Sequence, residues 1–254
     1  MLKQKIKRRI RNFLTGLDLP HLQAIRWQLD DISAQTTLNN SYQFSSYFPQ
    51  TNWSLRPATL VHILNDITIN QRKRIVDFGC GASTIYMAKH IKCSNLDAKI
   101  YAIDESQEWI DVMLIFLKQE NLDEIVTFVH APLAKSELSI SEENKWYNQN
   151  TLKHAIGKDK IDLAIVDGPV GNSSPFARYG AIPFLKEIFA ERYSVFLDDA
   201  DRKEELIIVN QWEKLLNVSV QDYNRYKVFT TDQQFSTRPL FKMYDKLFRS
   251  HYLS

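Results

Sequence analysis

The run Arg74-Ile75-Val76-Asp77-Phe78-Gly79-Cys80-Gly81-Ala82-Ser83-Thr84 constrains the fold of this chain more than any other stretch. A short apolar segment meets an acid, two glycines flank one residue, and small hydroxyl residues follow. Seven glycines serve 254 residues, so two within three positions mark a tight backbone turn that admits a ligand. Strand, glycine turn and helix N-terminus in that order are how open α/β sheets hold nucleotide-like ligands.

Beyond the turn the pattern alternates. Apolar runs predict strands at Arg74 to Phe78, Lys99 to Ile103, Ile125 to Val129, Ile161 to Val166 and Tyr193 to Leu197. Helical spacing predicts helices at Ile85 to Ile91, Trp109 to Gln119, Ala181 to Phe189 and Glu204 to Leu216. Val218 to Tyr223 and Lys227 to Thr231, joined by Asn224-Arg225-Tyr226, read as a closing antiparallel hairpin. The expected fold is α/β, a Rossmann-like, seven-stranded, mostly parallel sheet with helices on both faces.

The ends differ in character. Lys3, Lys5, Lys7, Arg8, Arg9 and Arg11 precede the first acid, Asp18. At about 100° per residue, Leu2, Ile6, Ile10, Phe13, Leu14 and Leu17 share one helical face. Such a basic amphipathic helix either lies on an anionic membrane surface or packs its stripe on the domain or a second copy of the chain. Residues 20 to 55 carry Trp27, Tyr42, Phe44, Tyr47, Phe48 and Trp53 among polar residues, too aromatic for a linker and too irregular for a long helix. They read as a cap whose rings line a pocket or seal the domain edge. Pro57 suits the first turn of a helix reaching about Ile69. Leu240, Phe241, Tyr244, Leu247 and Phe248 predict a final docking helix.

Composition limits the function classes. Apolar content of 44% and charged content of 24% are those of a globular domain. A net charge of +2 without a second basic patch argues against a nucleic-acid partner. Cys80 and Cys93 read as thiols rather than a disulfide framework. No apolar run spans a bilayer and no signal-peptide h-region follows the basic start, so a cytoplasmic location is expected, with membrane association if residues 1–17 take that role.

In such sheets ligands bind beyond the carboxyl ends of the strands. There stand Asp77 to Gly81, Asp104-Glu105, His130-Ala131-Pro132, Asp167-Gly168-Pro169 and Asp198-Asp199, a concentration of carboxylates on one rim. The turn lacks the third glycine of the dinucleotide fingerprint, and no Gly-Lys-Ser/Thr follows. A ligand with an amino-acid end suits it better than a phosphate, with Asp77 beside the ammonium. Asp104 ends the second strand, where a carboxylate accepts ribose hydroxyls.

Val-Asp-Phe-Gly-Cys-Gly-Ala-Ser-Thr followed by Tyr-Ala-Ile-Asp-Glu resembles motif I and its partner acid in class I S-adenosylmethionine-dependent methyltransferases. Trp146-Tyr147, Ile161 to Pro169 with its Asp-Gly-Pro, Ala177-Arg178-Tyr179, and Phe196-Leu197-Asp198-Asp199-Ala200-Asp201-Arg202 resemble a poorly characterised bacterial branch of that superfamily. The likeness covers roughly Arg72 to Glu213. The chain as a whole is expected to form three regions, a basic helix and cap over 1–70, a methyltransferase domain over 71–235 and a docking helix over 236–254, the first 55 residues lying outside the likeness. The likeness implies S-adenosylmethionine held by Asp77, Gly79, Cys80, Gly81, Ser83, Thr84, Asp104 and Glu105, with His130 and Ala131 flanking the adenine.

The implied activity is methyl transfer to oxygen of a small-molecule or glycan-type acceptor. Catechol-type relatives bind metal through a carboxylate after the fourth strand and an Asp-Asn pair after the fifth. Asp167, Asp198 and Asp199 match those places, with Asp199 where that family has Asn, and would hold Mg²⁺ or a similar hard cation. Without metal, Asp167 or Asp199 serves as general base, and Arg178 and Arg202 supply the positive charge. Arg178 also suits an acidic acceptor. The bland alternative has Asp198 and Asp201 capping the next helix while Asp167 orders its own turn. Tyr147 is expected in a polar loop over the rim, stacking on sulfonium or acceptor. The rivals are a glycosyltransferase using Phe196 to Asp201 as a metal-binding motif for a nucleotide sugar, and a catalytically silent binding module.

Overall fold

The computed structural model describes residues 24–142, 145–232 and 234–239. The predicted basic helix and the predicted tail helix lie outside these residues. The central sheet has seven strands in the order β3-β2-β1-β6-β7-β9-β8. β1 (Arg74–Phe78) pairs in parallel with β2 (Lys99–Asp104) and with β6 (Ile161–Val166). β3 (Val126–His130) extends one side and β7 (Phe189–Leu197) the other, again in parallel. β9 (Lys227–Thr230) runs antiparallel to β7, and β8 (Val220–Asp222) antiparallel to β9. The strand order reverses between β1 and β6, and the crevice left at such a reversal is where open α/β sheets bind ligands.

Side-chain alternation along the strands builds two cores. Ile75, Leu163, Ile165, Phe196 and Val228 face one layer, formed by α2 (Pro57–Ile69), α3 (Ala82–Cys93) and α4 (Gln107–Gln119). Val76, Phe78, Ala164, Val166, Val195, Leu197 and Phe229 face the other, with α5 (Gln149–Ile156), α6 (Ala181–Leu185) and α7 (Lys203–Leu216). Strands buried on both faces read as continuous apolar runs, which is why they were legible.

Three expectations need correction. The segment judged too irregular for a long helix contains one, α1, over 24–41. Only a narrow edge, Ala34 and Leu38, is buried, while Ile25, Leu29 and Ile32 face outward, so the stripe that marks a packed helix is missing. Its hydroxyls are satisfied within the helix, as Thr36 Oγ1 donates to the Ile32 carbonyl at 2.8 Å. The helix predicted at Ala181 to Phe189 stops at Leu185, and Phe189 opens β7. Finally, Trp146 and Tyr147 stand in a strand rather than a polar loop: β5 (Lys145–Tyr147) pairs antiparallel with β4 (Leu133–Lys135). Both rings are fully buried, and Trp146 packs so tightly on Gly180 that a Cβ there would come within 2.6 Å.

Part of the aromatic segment packs on the domain edge, while Tyr47 and Trp53 are exposed. Tyr42 and Phe44 pack edge-on against Tyr86, and Phe48 tilts against Phe116. Ser45 donates its backbone N–H and hydroxyl to Glu120, each at 2.6 Å, and Lys89 Nζ reaches the same carboxylate at 2.9 Å. Burial raises the Glu120 pKa, but these donors outweigh it and hold the acid at about 2. Among the described residues no helix is long and apolar enough to cross a membrane.

At the amino-terminal end of the sheet, Arg72 is 3% exposed and ties three segments together. It donates to Asp66 on α2 at 2.8 Å, to Ser194 on β7 at 2.7 Å and to Asp232 beyond β9 at 2.6 Å. Removing one partner of a buried ion network strands the other charges, so Arg72→Met should lose about 3 kcal/mol of stability. A urea melt checks this, and an unchanged midpoint rejects it.

Candidate active site

The floor of the crevice is backbone. Gly79 follows β1 with φ of +90°, a conformation that side chains rarely adopt. Its N–H donates to the Ile103 carbonyl at 2.9 Å, and the Gly168 N–H donates to the Phe78 carbonyl at 2.7 Å. A Cβ on Gly79 would lie 2.8 Å from the Gly168 nitrogen, and one on Gly168 would strike the Tyr147 hydroxyl. Gly79 thus admits the neighbouring loop at least as much as any ligand. Gly81 differs, since a Cβ there would meet nothing within 4 Å. Its backbone borders open space.

Asp77 lies beneath this turn, fully buried. Its Oδ2 accepts the hydroxyls of Ser83 and Thr84, each at 2.7 Å, which fixes the first turn of α3. Burial pushes the acid up to about 7, against the opposing pull of the two hydroxyl donors. Asp77 and Thr84 do not line the cavity wall; Asp77 braces the turn through Oδ2, and its Oδ1 is buried without a partner among the described residues. Asp104 does line the wall. Its Oδ1 accepts the Ser106 N–H at 2.9 Å, and the Cys80 thiol lies 3.5 Å from Oδ2. Burial raises Asp104 to about 6, and burial pushes the Cys80 thiol well up as well. Trp109 Nε1 donates to the Cys80 carbonyl at 2.7 Å, holding the turn against α4.

One cavity of about 1000 Å³ runs along this rim. Gly79, Cys80, Gly81, Ser83, Asp104 and Glu105 line one end, and Tyr147, Asp167, Arg178, Asp198 and Asp199 the other. Phe48 and Trp53 of the cap form part of its wall. His130 and Ala131 do not: His130 is exposed with Nε2 3.1 Å from the Glu105 carbonyl oxygen, and Ala131 is buried. Their place at the wall is taken by Ser106 and Trp109. Tyr147 enters from beneath, its ring stacked on Phe78, and its hydroxyl has no partner among the described residues. Burial keeps that phenol protonated well above its usual range.

The acidic end is dense with charge. Asp167, Asp198 and Asp199 each offer an oxygen within 4.8 Å of the other two. Guanidinium groups already occupy that space. Arg178 Nη2 donates to Asp167 at 2.9 Å and to Asp199 at 3.3 Å, while Nη1 donates to the Asp198 carbonyl at 2.8 Å. Arg202 lies 2.7 Å from Asp199 Oδ2, and Arg225 2.5 Å from Oδ1. Asp199 holds φ of +52°, which costs a non-glycine residue on the order of 1 kcal/mol, offset here by three cations. Burial pushes Asp198 up, and the charges of Asp167 and Asp199 add to the shift. Those oxygens are also the kind a hard cation binds, and here guanidinium groups pair with them. Asp198 and Asp201 do not cap α7, whose N-cap is Arg202 with no side-chain cap.

Arg225 and Glu205 were missed from sequence. Arg225 sat in what read as a hairpin tip, yet β9 pairs beside β7, and the tip returns to the carboxyl end of β7, where Ala200 N–H donates to the Arg225 carbonyl at 2.6 Å. The expected hairpin was the available signal. Glu205, which drew no notice within the predicted helix, is buried and lines the cavity.

The fold is the Rossmann-like methyltransferase fold, and solved structures share it at low sequence identity. An O-methyltransferase from Bacillus cereus, in complex with SAH, superposes with a TM-score of 0.52 at 12% identity, covering 80% of this chain and 90% of that one. The SAH-bound methyltransferase PaMTH1 from Podospora anserina gives a TM-score of 0.52 at 14% identity, covering 85% of this chain and 98% of that one. No protein-family model matches the sequence, and no curated protein matches it.

The two glycines predict opposite outcomes. Gly79→Ala should lose about 2 kcal/mol through its positive φ and its approach to Gly168. Gly81→Ala should melt within about 1 kcal/mol of the parent while narrowing the open space beside the turn. Thermal melts of the two variants check the contrast, and equal losses would refute it.

Proposed function

We propose that the chain is a class I S-adenosylmethionine-dependent methyltransferase that methylates oxygen of a small-molecule or glycan-type acceptor. The observation that carries this reading is the single cavity joining the glycine turn and Asp104 to the acidic rim at Asp167, Asp198 and Asp199. A donor needs the first end, an acceptor hydroxyl the second. The two SAH-bound structures of the same fold support the assignment of the first end.

On this reading the backbone from Gly79 to Gly81 would run beside the methionine part of the donor, with Ser83 at the helix start. Asp104 would accept the ribose hydroxyls, and Glu105, Ser106 and Trp109 would border the base. When bound, S-adenosylmethionine supplies an electrophilic methyl group on a sulfonium, so much of the catalysis is positioning. Asp167 pairs one oxygen with Arg178, and the other has no partner among the described residues. That leaves Asp167 placed to take the proton of an acceptor hydroxyl. Asp199 has both oxygens in ion pairs and is the poorer base. Arg178 holds the acids in register, and Tyr147 offers its hydroxyl from the cavity floor.

Calorimetry with S-adenosylmethionine and S-adenosylhomocysteine tests the donor, and binding of neither sinks the reading. Asp104→Ala should weaken binding about tenfold or more, since it leaves hydroxyls unpaired. The pH dependence follows from burial of Asp104, which raises its pKa to about 6. The accepting carboxylate is present above that pH and is lost below it, so donor affinity should fall as pH drops through about 6. Asp104→Asn should lack that inflection, and an identical profile in the variant would assign the titration to another group.

A further inference from the structure

We propose that the guanidinium of Arg178 takes the place of a divalent cation in this acidic rim, so that the site works on its acceptor without a metal ion. The role beside an acceptor rests on the methyltransferase reading, whereas the exclusion of metal does not. Three carboxylates whose oxygens lie within 4.8 Å of one another are the donor set a hard cation seeks. In this chain a single side chain has claimed two of the three, and the Asp198 carboxylate keeps Oδ1 buried without a partner among the described residues. Arg178 spans Asp167 and Asp199 with one nitrogen and binds the Asp198 carbonyl with another.

Guanidinium has no acceptor atom and stays charged, so it neither joins a coordination shell nor neutralises itself to make room for a cation. Arg202 and Arg225 are 51% and 37% exposed at the side chain, so both have water to swing into. Arg178 is 4% exposed and has no such exit. Leaving the rim would strand its charge among buried groups, a larger penalty than any surface pair imposes. Its Nε is buried without a partner among the described residues, which leaves one charged donor unused by the protein. The chain therefore carries its own fixed positive charge where a cation would sit.

The test titrates Mn²⁺ into chelator-treated full-length protein and reads free Mn²⁺ by electron paramagnetic resonance. The parent should leave Mn²⁺ free into the millimolar range. Arg178→Gln should gain a bound ion with affinity about tenfold or more above the parent, and adding Asp198→Asn to it should abolish the gain. Failure of folded Arg178→Gln to bind overturns the proposal. Binding to the parent that Asp198→Asn removes overturns it as well, and that comparison stands even if Arg178→Gln does not fold. Calorimetry with S-adenosylmethionine on the same metal-free samples reports separately on the methyltransferase reading.

Discussion

Gly79 and Gly168 approach each other so closely that neither tolerates a side chain, and this backbone contact closes the carboxyl ends of β1 and β6. The sheet reverses its strand order at that point, so the contact sets where the crevice opens and how wide it is. Hydrogen bonds from Gly79 to β2 and from Gly168 to β1 lock three strand ends into one floor. Tyr147 from beneath and Asp77 of β1, bonded to the first turn of α3, brace the same floor. A glycine pair that would ordinarily be read as room for a ligand is here partly room for the protein itself. Gly81, one step along, keeps the open space.

The acidic rim illustrates a second constraint. Burying three carboxylates side by side is unfavourable unless opposite charge comes with them. Here it comes from elements distant in sequence: Arg178 ahead of α6, Arg202 at the start of α7, and Arg225 ahead of β9. The left-handed turn at Asp199 persists because these contacts over-determine it. Over the same cavity, the cap is held by Glu120, which gathers Ser45 and Lys89 and thereby fastens the aromatic segment onto α3 and α4.

Much of the sheet was legible because a strand buried on both faces must be an apolar run, and Ile161–Val166 and Arg74–Phe78 are such runs. α1 was not, because a helix attached by Ala34 and Leu38 alone carries almost no periodic signal. β4 and β5, three residues each, are shorter than any pattern can mark, which is why Tyr147 was expected in a loop. Asp104, Asp167 and Asp199 were legible as site candidates because strand ends are where this architecture keeps its ligands. His130 followed the same rule and yet points away, since its strand lies at the edge of the sheet, one position beyond the cavity.

By itself the sequence determined the order of the strands of the central sheet, the glycine turn at the first strand end and the row of acids along one rim. Those features depend on neighbours in the chain and on which residues tolerate burial or a positive φ. Only the tertiary structure decided what the acids face. Whether Asp167, Asp198 and Asp199 meet a cation or a guanidinium depends on which side chains the crossovers bring back to the rim. Arg178 is brought there by the crossover between β6 and α6 and Arg225 by hairpin pairing beside β7, contacts between residues far apart in the chain. The glycine turn was visible from the start; that Gly79 serves Gly168 while Gly81 borders the cavity is a fact of packing.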